Sequence, residues 1–447
     1  MRKSLIALAL LAGFPALVAA ENLSQIYKDA VKADPTYAGA RALVEAARER
    51  VTQGKAGLRP QVNMTGDYKL NGQKSQPTDS QASLFVPSNR NDYLTWQAGI
   101  NASQPIYRPQ NATDYDSAKL GLQQAESQAS AAAQDLMVRV TQAYFDILLA
   151  QDSVDYLKSQ EAAIAEQLAQ AKRNFEVGTA TITDTYDAQA RFDLVKAQQI
   201  SAQNQFEVAV RALQQIIARM PGKLATLVDP IALSLPEPND IERWVEQAYK
   251  SSWDVAVQKS NLDLANAALE KAKAGHHPTL DAIGGTTYNF NQGSGFGPGS
   301  ESYGYVVGLE FALPLYTSGK LTGAVREAIA NRSKAERDYE AAKRQVAQNT
   351  RQSFLGVVSG LAETKALEQA LASNKLSLDA SKLGQEVGVR TQVDVLNAQE
   401  RFFSARRNLQ RARYNTILNQ IRLKAAVGKL NDRDMETLNS LLREAKS

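Results

Sequence analysis

The sequence is written twice, and no other feature narrows its fold as much. Asn22–Pro60 aligns without gaps to Asp240–Pro278, an offset of 218 residues: Ala30 meets Ala248, Ala38 meets Ala256, Ala56-Gly57 meets Ala274-Gly275, and Pro60 meets Pro278. Farther on, Gly99, Pro105 and Tyr107 meet Gly308, Pro314 and Tyr316 at an offset of 209, so the first copy carries nine extra residues (218 − 209) between these landmarks. Later still, VGTATITDTYDAQ at Val177–Gln189 is echoed by VGVRTQVDVLNAQ at Val387–Gln399. Repeats this long imply duplication of a whole structural unit. The join is Met220–Asp240, whose Pro221, Pro230, Pro236 and Pro238 give it the composition of a linker. The expected division is a first repeat over 21–220, a linker over 221–240, a second repeat over 241–428 and a C-terminal tail over 429–447.

Each copy has one order of elements. A helical segment, about Leu23–Ala56 in the first copy, comes before Pro60. Strict alternation follows. Val62, Met64, Tyr68 and Leu70 alternate with Gln61, Asn63, Asp67 and Lys69, and Leu94, Trp96, Ala98 and Ile100 alternate with Thr95, Gln97 and Asn101. The second copy matches, and Tyr303, Tyr305, Val307, Leu309, Phe311 and Leu313 share one face. Period two predicts strands over about 61–71, 93–104, 279–291 and 303–313. Polar, Gly-rich loops, about Gly72–Asn91 and Gln292–Ser302, join each pair.

These strands have the length that crosses an outer membrane. Pattern alone also fits a soluble two-sided sheet. A spanning sheet, however, leaves no edge to lipid and must close. Four strands fall short of the roughly eight of the smallest barrels, so spanning requires several chains to share one barrel.

The segments after the strands are long and helical. No proline occurs between Pro109 and Pro221 or after Pro314, and Gly121 is the sole glycine from Thr113 to Val177. Helices are expected over about 110–177 and 320–387, each a rod of roughly 100 Å. In the first, Val140, Ile147, Val154, Leu168 and Phe175 recur every seven residues with Glu161 as the exception, and Ala143, Ala150, Leu157, Ile164 and Ala171 follow three behind, as in a coiled coil. The second is less regular but holds Phe354, Leu361, Leu367, Leu371 and Leu378.

The echoed motif sits where these helices stop. Gly178 and Gly388 suit a left-handed C-terminal cap. Thr181 and Asp184, like Thr391 and Asp394, have the spacing of a capping box that starts a returning helix, over about 184–219 and 394–427. Capping alone accounts for these residues without any function. The tips nevertheless carry further polar groups: Asp187 on one, Arg390 and Asn397 on the other. In a closed oligomer, tip carboxylates would face one another, raise one another's pKa and attract cations, as pore rings do.

Composition removes other function classes. Arg2 and Lys3, the apolar stretch Leu5–Leu17 and the small residues Val18-Ala19-Ala20 predict a signal peptide over 1–20. The chain has no cysteine, which excludes disulfides, thiolate metal sites and a cysteine nucleophile. His276 and His277, before Pro278, suit a structural junction. The net charge of +4 falls to +2 once Arg2 and Lys3 are removed, so nothing points to nucleic acid. There is no phosphate loop, no cofactor motif, and no acid accompanied by a nucleophile, base and pocket signature; an enzyme is not expected.

The element order, the duplication, the proline entry Gly57–Pro60, Gln-Pro-Ile-Tyr at 104–107, Leu-Pro-Leu-Tyr at 313–316 and Val-Gly-x-Arg-Thr-x-Val-Asp-Val-Leu at 387–396 resemble the TolC family of outer-membrane channels. The resemblance covers essentially the mature chain. It implies a mainly α fold with a membrane β-barrel portion: a homotrimer forming a 12-stranded barrel in outer-membrane lipid and a periplasmic tunnel of twelve helices. It also implies a lower end closed by inward-coiling hairpins, which opens when a periplasmic adaptor and an inner-membrane ABC or proton-driven pump engage. By the same resemblance Asp394 matches an acid of the constriction ring, Arg390 the gate arginine, and Thr183 and Asp184 its partners on the other hairpin. Asn397 stands where relatives often have a second acid, Gln385 where a tyrosine makes a closing bond, and Asp187 offers replacement charge. The expected function is an exit duct for proteins or small toxic compounds. The alternative is a periplasmic helical-hairpin adaptor or scaffold that does not span the outer membrane.

Overall fold

The computed structural model describes residues 20–75, 89–228, 231, 233–294 and 297–443. The expected signal peptide lies outside them, residue 20 excepted. The protein is mainly helical with a β-sheet portion. In chain order the elements are α1 (Leu23–Ala33), α2 (Pro35–Ala56), β1 (Gln61–Ser75), β2 (Asn89–Tyr107), α3 (Pro109–Glu176), α4 (Ile182–Ile217) and β3 (Thr226–Leu227). The second half gives α5 (Ile241–Ser251), α6 (Trp253–Ala274), β4 (Thr279–Ser294), β5 (Gly297–Ala312), α7 (Lys320–Glu386), α8 (Gln392–Ala426), α9 (Asp432–Ser440) and β6 (Leu442–Arg443).

Several boundaries differ from the sequence reading, each for a local reason. The opening helix is broken at Asp34, whose backbone is extended (φ −67°, ψ 118°) ahead of Pro35. The break recurs at Ser252 (φ −65°, ψ 131°), where Trp253 replaces the proline. Proline therefore does not cause it; both hinge residues are buried, and tertiary packing fixes the bend. The expected loops are shorter than predicted, because the hairpins keep pairing to Ser75↔Asn89 and Ser294↔Gly297. The expected tail contains α9 and β6, the latter pairing with β3 inside the linker. Phe175, assigned to the heptad seam, is exposed at the end of α3, whereas Val140, Ile147, Val154 and Leu168 are buried.

Chain contacts divide the molecule into two compact units that cut across the repeats, each drawing on both. One comprises Met1–Arg41, Ala129–Val255 and Lys343–Ser447; the other comprises Ala42–Gln128 and Ala256–Ala342.

The second of these units holds an antiparallel sheet of four strands in the order β1-β2-β4-β5. Helices α2 and α6 lie against the start of α3. A side chain at Gly54 would press on Tyr115 and Ala118, and Lys271 pairs with Asp114 at 2.5 Å. At the sheet's helical end Arg108 binds Asp281 through Nε (3.0 Å) and Nη2 (2.5 Å), beside the irregularity between Pro105 and Tyr107.

The other unit has the main core. Leu23, Ile26 and Ala30 of α1 and Met435 and Leu438 of α9 pack with α3 (Leu136, Val140, Tyr144, Phe145, Leu148), α4 (Leu213, Ile217) and α8 (Tyr414, Ile417, Ile421). Tyr144 is fully buried and keeps its hydroxyl satisfied by donating to the Ala225 carbonyl at 2.8 Å. Arg139 grips the α1–α2 hinge through Asp34 at 2.9 Å, and its hydrogen bond holds the Asp34 carboxyl below the usual carboxylate range. Helices α7 and α8 approach closely at Gly356 and Gly360, where an added Cβ would run into Asn419 and Thr416.

Candidate functional site: a two-faced sheet and two matching hairpin tips

Strand register sorts the sheet's side chains onto two faces. Paired residues point to the same side and successive residues to opposite sides. One face carries Tyr68–Trp96–Phe290, Met64–Ile100, Tyr288–Tyr303, Ala282–Leu309 and Leu280–Phe311 as cross-strand neighbours. Trp96 lies 4.8 Å from Tyr288 and 6.3 Å from Phe290 between ring centroids. This face is uncovered in the single chain: Met64 is 78% exposed and Val307 83%. The opposite face carries Asn63–Asn101, Thr65–Gly99–Thr287, Asp67–Gln97–Asn289 and Asn289–Ser302, with Tyr93, Ile283 and Val306 among its apolar exceptions.

On β5 the apolar face runs from Tyr303 to Phe311, about 27 Å along the strand at ~3.4 Å per residue. That is comparable with the roughly 25 Å apolar band of outer-membrane barrels. Among the described residues, β1 and β5 have no strand partner on their outer sides. Among the described residues, no helix is long and apolar enough to cross a membrane.

The two helical hairpins end in nearly identical turns. Helix α3 stops at Gly178 (φ +78°) and α7 at Gly388 (φ +78°), a left-handed backbone that glycine adopts without Cβ strain. The Thr179 amide reaches back to the Asn174 carbonyl, and the Val389 amide to Gly384, both at 2.8 Å. Thr181 then caps α4: its hydroxyl accepts from the Asp184 amide (3.2 Å), and Asp184 Oδ2 accepts from the Thr181 amide (3.0 Å) and hydroxyl (2.7 Å). Thr391 and Asp394 repeat this at 3.2, 2.9 and 2.8 Å at the start of α8.

Those bonds decide the tip's electrostatics within one chain. The Thr391 backbone amide, then its hydroxyl, hold the Asp394 carboxyl below the usual range, so Asp394 stays ionised. Within one chain the charged neighbours that act on Asp394 are Arg390 and Arg401, which favour the ionised form.

The sequence-assigned tip residues are only partly brought together. Arg390 is exposed and meets Asp394 of its own hairpin at 4.0 Å, its stem lying over Gly384 where a Cβ would collide with it. Asp184 is taken up by Thr181, so within one chain the link expected from Arg390 to Thr183 and Asp184 is not made. Gln385 donates to Gln392 in its own hairpin. Thr183 and Asp187 are exposed.

Asn397 instead accepts from Arg191 Nη2 at 2.8 Å, and the same guanidinium reaches Glu400 at 3.4 Å. Arg191 and Glu400 were missed by the sequence reading. Arg191 lies seven residues past Asp184, on the same stripe of α4 two turns on, a placement that could have flagged it. Also missed was a pair higher in the hairpins: Tyr414 of α8 donates to Asp152 of α3 at 2.7 Å, with Arg406 over the Tyr156 ring at 4.7 Å. Burial pushes the Asp152 carboxyl up to about 6. No group of three or more His, Asp or Glu placed to hold a metal ion occurs among the described residues.

Comparison with known proteins agrees with this arrangement. A family model described as outer membrane efflux protein matches residues 26–219 and 244–429. The chain is 35% identical over 429 residues to the outer membrane protein TolC of Vibrio cholerae serotype O1, covering 96% of this chain and 95% of that protein. It is 28% identical to the proteases secretion protein PrtF of Dickeya chrysanthemi, covering 90% and 87%. Its fold resembles the crystal structure of the Campylobacter jejuni CmeC outer membrane channel, with a TM-score of 0.78 at 17% identity over 94% of this chain and 89% of that one.

Proposed function

Because this chain belongs to the TolC family of outer-membrane efflux proteins, we propose that three copies join their sheets into one 12-stranded barrel and their helices into one periplasmic tunnel. The protein is an outer-membrane exit channel. The observation that carries the trimer is the sheet: its apolar face is bare, its polar face runs opposite, and both outer edges lack a strand partner among the described residues. Lipid does not satisfy an open edge, so a membrane-facing sheet of this width closes only with others. Three four-stranded sheets make twelve strands, within the range of known barrels. The adaptor reading leaves the bare apolar face without a role.

Cargo would enter from an inner-membrane pump through a periplasmic adaptor, the chain itself supplying no chemistry. PrtF is named for protease secretion; a protein or small-compound cargo for this chain rests on that likeness and on the family. The hairpin tips would form the entrance. Arg390, free of Thr183 and Asp184 in its own chain, would reach them across the seam to a neighbouring copy, and Asp394 would ring the aperture.

Mass measurement in mild detergent should give three copies, and the purified protein should form discrete pores in planar bilayers. A stable monomer extracted from intact outer membrane, or three copies that do not conduct, overturns the proposal.

A further inference from the structure

Each hairpin closes its own apolar cluster near its tip. Leu168, Ala171 and Ala188 pack with Phe192 in one, and Leu378, Val395 and Ala398 with Phe402 in the other. The two hairpins of a chain first share a core at Leu396, which inserts among Ile164 and Val195. The residue next to Leu396 is Asn397, and there Arg191 crosses from α4 to α8. Its side chain is 30% exposed, its Nη2 bonds Asn397 Oδ1 at 2.8 Å, and its Nη1 reaches Glu400 at 3.4 Å. Nearer the tip, Gln392 donates to the Gln167 carbonyl at 3.4 Å, beyond the usual N–H···O range. The directed, charged link at the lower end of the shared seam is therefore Arg191.

We propose that Arg191 is a positioning residue of the entrance: it clamps the two hairpins of one chain together at Asn397, and the hairpins part for cargo by breaking this clamp. The proposal rests on the exit-channel reading. It also gives the amide at position 397 a use. A guanidinium presents a rigid fork of donors; a neutral acceptor takes one prong without closing the link permanently, while Glu400 supplies a weaker, more exposed second contact. An aspartate at 397 would convert the hydrogen bond into a partly buried ion pair, the stronger kind, and would hold the entrance shut.

Single-channel recording of purified protein in planar bilayers tests this. Loss of one charge-assisted hydrogen bond shifts a two-state equilibrium by roughly ten- to hundred-fold, so Arg191→Gln should raise the ratio of open to closed channels by at least about ten-fold. Asn397→Asp should lower it, and the effect of Asn397→Asp should disappear in the Arg191→Gln background. A merely structural role would move the midpoint of unfolding but not produce opposite signs and this dependence. If Arg191→Gln fails to assemble, Asn397→Asp alone decides: an unchanged open fraction overturns the clamp. If the parent conducts and Arg191→Gln conducts identically, the clamp is wrong and the channel reading stands; a parent that forms no pore removes the channel reading and the clamp with it.

Discussion

Val307→Arg should abolish assembly in the outer membrane, while Gln97→Arg should leave it intact. Val307 stands midway between Tyr303 and Phe311 on the apolar face of β5 and opposite Gly284, so nothing beside it could shield a charge. An arginine at the midplane of an outer-membrane barrel costs about 2–4 kcal/mol. Three chains sharing one barrel would each carry it, for a total of about 6–12 kcal/mol, comparable with the whole stability of a typical domain. Gln97 lies on the other face, between Asp67 and Asn289, where water would fill the bore and an added arginine gains a carboxylate neighbour. The measurement is the fraction of protein recovered as oligomer from purified outer membranes. Equal recovery of the two variants would mean that the sheet does not separate lipid from water, and the reverse order would turn the barrel inside out.

What the sequence made legible was whatever is encoded locally. Period-two alternation marks the faces because Val62, Met64, Tyr68 and Leu70 owe their orientation to the pleat and not to a distant contact. The caps are legible for the same reason: Gly178 ends one helix, Thr181 and Asp184 satisfy each other at the start of the next, all within seven residues, and Gly388, Thr391 and Asp394 repeat the pattern. The duplication added a control, since a signal seen at two matched positions is hard to produce by chance. The hinge at Ser252 was hidden because its cause is burial and not a breaker residue. Likewise hidden were α9, whose helix depends on Met435 and Leu438 finding the main core, and the end of the heptad seam, where Phe175 reaches a tip without neighbours to cover it. The clamp at Asn397 joins residues 206 apart in sequence. The stripe shared with Asp184 could mark Arg191 as a tip residue, but nothing in the local pattern pairs it with position 397. The sequence read Asn397 as a missing acid; the structure shows an acceptor already in use.

The pair formed by Asp152 and Tyr414 was hidden in the same way, and its chemistry makes a separable expectation. Four effects compete at Asp152. Burial against α8 penalises the carboxylate and is the larger; the Tyr414 hydroxyl favours it, Asp155 opposes it and Arg406 supports it, leaving the group at about 6. Its ordinary value is 3.8, so the folded protein binds this proton more tightly than the unfolded chain does. The resulting stabilisation is fully present below pH 3.8 and is lost as pH rises through about 6. Each pKa unit is about 1.4 kcal/mol between protonation states, so ionising Asp152 in place costs on the order of 3 kcal/mol at pH 8. Asp152→Asn removes the ionisation and keeps an oxygen to accept from Tyr414. The variant should therefore match the parent at about pH 3, below the ordinary value of the carboxyl, and unfold at a higher temperature at pH 8, the gap opening between those values. Taking the difference between variant and parent cancels every other titrating group. Asp152→Leu should destabilise at low pH, because it leaves the buried Tyr414 hydroxyl without its acceptor, a loss of about 1–3 kcal/mol, and the deficit should shrink towards pH 8, where the parent bears the cost of the ionised carboxylate. Parallel melting curves for Asp152→Asn and parent from about pH 3 to 8 would show that Asp152 binds its proton no more tightly when folded than when unfolded, so that burial against α8 does not penalise its carboxylate.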